Sequence, residues 1–63
     1  MNNRVRIIED CRGDGIAKGM LGTYLGNFIY PNTDFKNPKI LLDNGDIIWG
    51  VECWWENYDK NKT

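Results

Sequence analysis

Histidine is absent from the 63 residues, so the chain lacks both the commonest general base and the commonest metal ligand. Its two cysteines, Cys11 and Cys53, are far apart and form no CxxC pair. A bridge between them is a minor alternative to two reduced thiols. No apolar run approaches the roughly 20 residues that cross a membrane, and no secretory signal opens the chain. We expect a cytoplasmic protein with no metal, cofactor or membrane partner.

The shortness of the chain limits what it can do. A domain of 63 residues buries only a marginal core, and we expect it to have little room for a pocket of roughly 300 Å³. No nucleophile–base pair or carboxylate pair is visible, so we expect a protein that is not an enzyme. Three Trp, three Tyr and two Phe are many for this size, and we expect their large side chains to build the core.

Charge is divided unevenly along the chain. Residues 1–42 carry six basic and four acidic side chains, a net charge of +2, whereas residues 43–63 carry two basic and five acidic side chains, a net charge of −3. The whole chain has a net charge of −1. A protein that binds nucleic acid through phosphates usually has a strong basic excess. The balance therefore favours a protein partner or a basic partner.

The clearest structural pattern is a β-hairpin around Asn44-Gly45. This dipeptide suits a two-residue type I′ turn, in which both central residues have positive φ. That turn predicts that Leu42 faces Ile47 and Ile40 faces Trp49. Both faces of the hairpin are then apolar away from the turn, so the second face needs a cover. A barrel wall, a loop, the C-terminal aromatic residues or a second copy of the chain would each serve, and the last makes a homodimer.

Further strands are expected on both sides of this hairpin. Gly26-Asn27 is interpreted as another tight turn, and a proline-bounded loop covers residues 31–38. The fifth strand either starts directly at residue 51 or follows a one-turn 3₁₀ connector. The expected strands lie at about residues 4–9, 20–25, 39–43, 46–50 and 51–55. We expect one domain over residues 1–63, with an ordered part at about 4–56 and a polar tail at 57–63.

A G-x-x-G pattern formed by Gly19 and Gly22 precedes Thr23 and Tyr24. The first glycine would permit an unusual loop-to-strand backbone, and the second a bend, a bulge or a close backbone approach. Over residues 4–26 the chain resembles the KOW-type motif of small SH3-like barrels. The resemblance implies an all-β, five-stranded SH3-like barrel that binds nucleic acid, ribosome, polymerase or peptide. The chain is also similar to small proteins of bacteriophages and prophages.

Two sets of side chains are candidates for a binding site. The preferred function is a protein-binding or inhibitory module, whose partner belongs to the host cell if the chain is phage-encoded. Trp54 is expected outside and Trp55 inside, because adjacent residues of a strand point to opposite faces. An exposed tryptophan between acidic residues is typical of a surface for a basic or proline-rich peptide. The candidates are Trp54, Glu52, Glu56, Tyr30 and Phe35.

The alternative function is a KOW-like nucleic-acid-binding module. Arg4 and Arg6 share one face of the first strand, because side chains two residues apart point the same way. Together with nearby basic residues they would bind phosphates, and an aromatic ring would stack on bases. The candidates are Arg4, Arg6, Arg12, Lys18 and Tyr24.

Overall fold

The computed structural model describes residues 3–58 and consists of β-strands with one short 3₁₀ turn. Five strands form one antiparallel sheet in the order β4-β3-β2-β1-β5. The predicted all-β class and the number of strands are confirmed. Within the described residues the sheet is not closed into a barrel, since β4 and β5 remain its two edges. The elements are β1 (Arg4–Asp10), β2 (Leu21–Ile29), β3 (Lys36–Leu42), β4 (Ile47–Trp49), the 3₁₀ turn (Gly50–Glu52) and β5 (Cys53–Asn57).

Some of the predicted turns and strand boundaries need correction. Gly26 and Asn27 lie inside β2 and make no turn; the irregularity is a bulge at Leu25, between the paired residues Tyr24 and Gly26. Strand β3 begins at Lys36, within the expected loop. Of the two alternatives for the fifth strand, the 3₁₀ connector followed by a strand is confirmed. The expected polar tail begins with Asn57 still in β5, and its residues 59–63 lie outside the described part.

The hairpin between β3 and β4 is present, but its predicted turn type and register are wrong. Leu41 pairs with Ile47 and Ile40 with Ile48, one residue away from the expected alignment. The Gly45 N–H donates to Leu42 O at 2.9 Å, and Gly45 has positive φ whereas Asn44 does not. The hairpin therefore has a three-residue loop, in which only the last residue, Gly45, is left-handed, in place of a two-residue type I′ turn. Asp43 and Asp46, which a type I′ turn would place opposite each other, therefore do not face each other.

The shifted register gives each face of the hairpin a different set of apolar residues. Ile40 and Ile48 are fully buried and Leu42 is almost so, whereas Leu41 lies on the other face and is 38% exposed. Both faces are apolar, as expected, but the second one is only partly covered in the single chain. We call the face that carries Leu41 the outer face of the sheet, and the face that carries Ile40 the inner face.

The core is aliphatic rather than aromatic. Its buried side chains come from four strands and the loop before β2, and no aromatic residue is among them. Tyr24 and Trp55 are partly buried and pack against its rim. The prediction that large aromatic rings build the core is therefore wrong, although Trp55 does point inward. The buried hydrophobic residues are Val5, Ile7, Ala17, Ile40, Leu42, Ile48 and Cys53.

A buried carboxylate holds the loop between β1 and β2. Asp10 is 6% exposed and accepts hydrogen bonds from the backbone N–H groups of Arg12 and Ala17, at 2.9 and 3.0 Å. The Arg12 guanidinium adds two bonds, from Nε at 3.0 Å and from Nη2 at 2.9 Å. These hydrogen bonds, the Arg12 side-chain bond foremost, hold the pKa of Asp10 well below its usual range. The loop that carries Cys11 is thereby fixed to the end of β1.

The two glycines of the G-x-x-G pattern have the expected backbone roles. Gly19 has a φ of +85° and donates its N–H to Ile7 O at 2.7 Å, where the loop enters β2. A Cβ on Gly22 would lie 2.8 Å from the carbonyl oxygen of Leu41 and 3.0 Å from Cγ2 of Ile40. Gly22 thus allows β2 and β3 to approach closely above the core, which confirms the predicted close approach.

Candidate protein-binding surface

An open groove of about 720 Å³ runs beside the last strand. Its lining includes the apolar residues Val51, Trp54 and Trp55, and both cysteines, Cys11 and Cys53. The expectation that so short a chain has little room for a pocket of roughly 300 Å³ is therefore wrong. The described residues that line the groove are Cys11, Gly50, Val51, Cys53, Trp54, Trp55 and Asn57.

Trp54 is the most exposed tryptophan side chain of the groove, at 70%. Its position follows from strand alternation: Trp55 pairs with Ile7 and packs on the core, so Trp54 points to the outer face. Val51, in the 3₁₀ turn just before β5, is 61% exposed. Exposed apolar groups of this size beside a groove are typical of interaction surfaces. The predicted outward direction of Trp54 is confirmed.

The other predicted protein-binding residues do not all join Trp54. The Tyr30 hydroxyl donates to Glu52 Oε2 at 3.3 Å, and the Tyr30 ring meets Trp49 edge-on, with centroids 5.3 Å apart. Burial, followed by the charge of Glu52, raises the pKa of Tyr30. Glu52 also accepts the Trp49 N–H at 3.1 Å. Tyr30 and Glu52 therefore form a cluster at the end of β4, and neither lines the groove in the described part of the chain.

Glu56 and Phe35 occupy separate positions. Glu56 is two residues after Trp54 on the outer face of β5, where it forms an ion pair with Arg6. Phe35 ends the loop between β2 and β3 and is 72% exposed; its N–H donates to Thr33 Oγ1 at 3.2 Å. The surface beside Trp54 is thus less acidic than the sequence indicated, because the carboxylate of Glu56 is neutralised by its neighbour.

Each of the basic candidates is paired with a carboxylate. Arg4 forms two hydrogen bonds to Asp43, at 2.8 and 2.6 Å, which lower the pKa of Asp43 and raise that of Arg4. Arg6 pairs with Glu56, Arg12 with Asp10, and Lys18 with Glu9. Phosphate would have to displace these partners before it could bind.

Tyr24 does not share a face with Arg4 and Arg6. It pairs with Ile40 and packs against the core, whereas Arg4 bonds to Thr23 and Asp43 on the outer face. The Tyr24 hydroxyl donates to Asn27 Oδ1 at 3.2 Å. The aromatic ring and the arginines that the sequence grouped together are therefore on opposite sides of the sheet.

A cation that sequence reasoning missed lies on the outer face. Lys39 pairs with Trp49 across the hairpin, and its ammonium group lies 5.3 Å from the ring centroid of Phe28 and 5.5 Å from that of Trp49. Both distances are within the range of a cation–π contact. The corrected hairpin register brings Lys39 opposite Trp49, so the type I′ alignment could not have revealed this contact.

The described residues offer no further chemistry at the groove. Cys11 is exposed and Cys53 is buried, and both are free thiols. Burial raises the pKa of Cys53 to about 11, so this thiol is protonated at neutral pH.

Among residues 3–58 no group of three or more Cys, Asp or Glu side chains is placed to hold a metal ion. Over the same residues, no helix is long and apolar enough to span a membrane.

Comparison with known proteins gives no relative. No family model matches the chain, and neither a curated protein nor a solved structure matches it. By its fold, the described part of the chain is a small all-β protein with one five-stranded antiparallel sheet. Its function must be argued from its own surface.

Proposed function

We propose that this protein is a non-catalytic binding module that binds, and by doing so inhibits or recruits, another protein through the groove beside β5. The observation that carries the proposal is Trp54, a large apolar side chain that is 70% exposed at the rim of a groove of about 720 Å³. Aromatic side chains are the commonest anchors of protein interfaces. If the chain is phage-encoded, as its sequence resemblance to small phage proteins suggests, the partner is a protein of the host cell.

An SH3-like barrel is the form of the fold that we propose. The two edge strands, β4 and β5, follow one another in the chain and are joined by only the three residues Gly50–Glu52. A 3₁₀ turn of that length spans roughly 6 Å. The sheet must therefore curl strongly, so that its two edges come close at this turn. Such curling supports a small, incompletely closed barrel.

A nucleic-acid-binding function has less support. Affinity for phosphates comes from cations that release counterions. Arg4, Arg6 and Lys18 are each paired with a carboxylate, and Tyr24 faces the core. The net charge of −1 adds no long-range attraction. The KOW-like nucleic-acid function is therefore the weaker of the two candidates.

Replacing Trp54 by alanine tests the proposal. A library of natural peptides that tile bacterial proteomes would be selected for binding to the unmodified protein. We expect Trp54→Ala to weaken binding of the selected peptides by roughly 30-fold or more, as for an interface anchor. The unfolding free energy should change by no more than about 0.5 kcal/mol, because the side chain is mostly in solvent. Binding is measured by fluorescence anisotropy of labelled peptides, and stability by urea denaturation.

Ile16→Ala is the matched control for this experiment. Ile16 is 69% exposed, and it is not among the residues that line the groove. This variant should bind the selected peptides as the unmodified protein does. If no peptide is selected, or if Trp54→Ala and Ile16→Ala bind equally well, the groove is not the binding site and the proposed function is wrong.

A further inference from the structure

The groove follows the edge of the sheet. Trp54 and Trp55 point to opposite faces of β5, since Trp55 packs against the core and Trp54 is exposed. Both nevertheless line the same groove. Since these consecutive lining residues point to opposite faces, the groove lies along the edge of the strand. In the described part of the chain β5 is an edge strand, with β1 as its neighbour in the sheet.

The direction of the backbone groups along this edge follows from the hydrogen bonds of β1. The Tyr58 N–H donates to Arg4 O at 2.9 Å, and Arg6 pairs with Glu56 two residues further on. In an antiparallel ladder alternate residues bond to a given neighbour, so the backbone groups of Glu56 point towards β1. Ile7, the partner of Trp55, donates its N–H to Met20 O at 2.9 Å, on the other side of β1.

The N–H and C=O groups of Trp55 and Asn57 therefore point away from β1 and into the groove. Such a row of donors and acceptors is a template for another strand. Natural edge strands are commonly blocked by proline, by lysine or by shortness. Strand β5 has five residues, CWWEN, and contains neither proline nor lysine. The opposite edge of the sheet is better protected. Strand β4 has only three residues, and the ring of Pro38 in β3 lies against Gly50, the residue that follows β4.

We infer that the groove binds an extended peptide segment of the partner protein as a sixth strand, paired with the free edge of β5. The inference rests on the proposed function and names its binding mode. Two or three backbone hydrogen bonds would come from Trp55 and Asn57, and alternate side chains of the peptide would lie against Trp54 on one face and towards Trp55 on the other. Main-chain pairing supplies affinity in this mode, and the side-chain pockets supply specificity.

Charge indicates the chemistry of the bound segment. Residues 43–63, which include β5, carry a net charge of −3. Directly before β5, the carboxylate of Glu52 forms no ion pair with any described residue, in contrast to Glu9, Asp10, Asp43 and Glu56. Glu52 does not line the groove itself but lies between two residues that do, Val51 and Cys53, and the apolar lining residues are Val51 and the two tryptophans. The segment that fits is apolar at alternate positions and basic at its flank.

Methylation of a single backbone nitrogen tests strand addition directly. A chain of 63 residues is accessible to chemical synthesis, so the Asn57 amide can be N-methylated without changing any side chain. The probe is the peptide selected above. We expect N-methylation at Asn57 to weaken its binding roughly tenfold or more, because a donor is lost and a methyl group blocks the edge. Asn57→Ala keeps the N–H and should weaken binding much less than N-methylation does, even though its side chain lies at the groove.

The alternatives give different results. If the N-methylated protein and Asn57→Ala both bind normally while Trp54→Ala does not, the groove is a binding site but strand addition is wrong. Equal weakening by both would indicate a side-chain contact of Asn57 instead. Loss of the folded state on N-methylation would show that the Asn57 N–H points into the protein. If the unliganded protein dimerises in sedimentation experiments, and N-methylation abolishes the dimer, the occupant is a second copy of the chain and not a peptide.

Discussion

Replacing Asp10 by alanine should remove a large part of the stability of the protein. The carboxylate is buried and accepts four hydrogen bonds from Arg12 and Ala17. Removing one partner of a buried, hydrogen-bonded charge pair typically costs about 3–5 kcal/mol. At roughly 0.05–0.15 kcal/mol per residue, the whole domain has only about 3–9 kcal/mol of stability. Urea denaturation followed by tryptophan fluorescence measures the loss.

Asp14→Ala is the control for Asp10→Ala. Asp14 belongs to the same loop, is exposed, and makes one hydrogen bond, from the Ile16 N–H at 3.0 Å. We expect it to cost about 1 kcal/mol or less. Equal losses for the two variants would show that the buried carboxylate does not anchor the loop.

Acid should lower the stability of the folded protein, because it protonates the same carboxylate of Asp10. The pKa of Asp10 is lowered in the folded state, chiefly by the Arg12 hydrogen bond, so the unfolded chain takes up a proton first as the pH falls. The stabilisation is therefore complete above the ordinary aspartate pKa of about 3.9 and is lost progressively below it. Asp10→Asn, which cannot ionise, should show a shallower fall in stability between about pH 5 and pH 2 than the unmodified protein.

Gly22→Ala is expected to produce the second large loss of stability. Its Cβ would lie 2.8 Å from the backbone oxygen of Leu41, which cannot move without disturbing the pairing of β2 with β3. Overpacking of this kind costs about 1–3 kcal/mol. Thermal denaturation followed by circular dichroism should show a melting temperature lower by roughly 8 °C or more for a domain of this size.

Two further variants test the cause assigned to that loss. Leu25→Ala, on the same strand at a side chain that is 42% exposed, should have a much smaller effect. Combining Gly22→Ala with Ile40→Leu removes the contact with Cγ2 but leaves the clash with the Leu41 oxygen, so little stability should return. Full recovery in the double variant would assign the loss to side-chain crowding rather than to the backbone.

Local sequence signals were sufficient for the strands and for the two glycines of the G-x-x-G pattern. Each depends on a property of a few neighbouring residues: apolar, β-rich segments bounded by turns in the first case, and the absence of a Cβ in the second. The outward position of Trp54 also followed from alternation along one strand. These features do not depend on which strand lies beside which.

Features that depend on a bulge or on register could not be predicted in this way. Alternation from Val5 and Ile7 would place Glu9 inside, but the register of β1 shifts between Ile7 and Glu9, and Asp10 becomes buried instead. The predicted register of the hairpin was wrong because a three-residue loop shifts every facing pair by one residue. The cation–π contact of Lys39 depends on that register, and the groove depends on which strand forms the edge of the sheet.

Amide hydrogen exchange along β5 tests most directly the claim that its outer edge is open and receives a peptide strand. In the free protein we expect slow exchange at Glu56, whose N–H is bonded to β1, and fast exchange at Trp55 and Asn57. Saturation with the selected peptide should slow exchange at Trp55 and Asn57 and leave Glu56 unchanged. Protection of all three amides in the free protein, or no added protection at Trp55 and Asn57 on binding, would contradict the account.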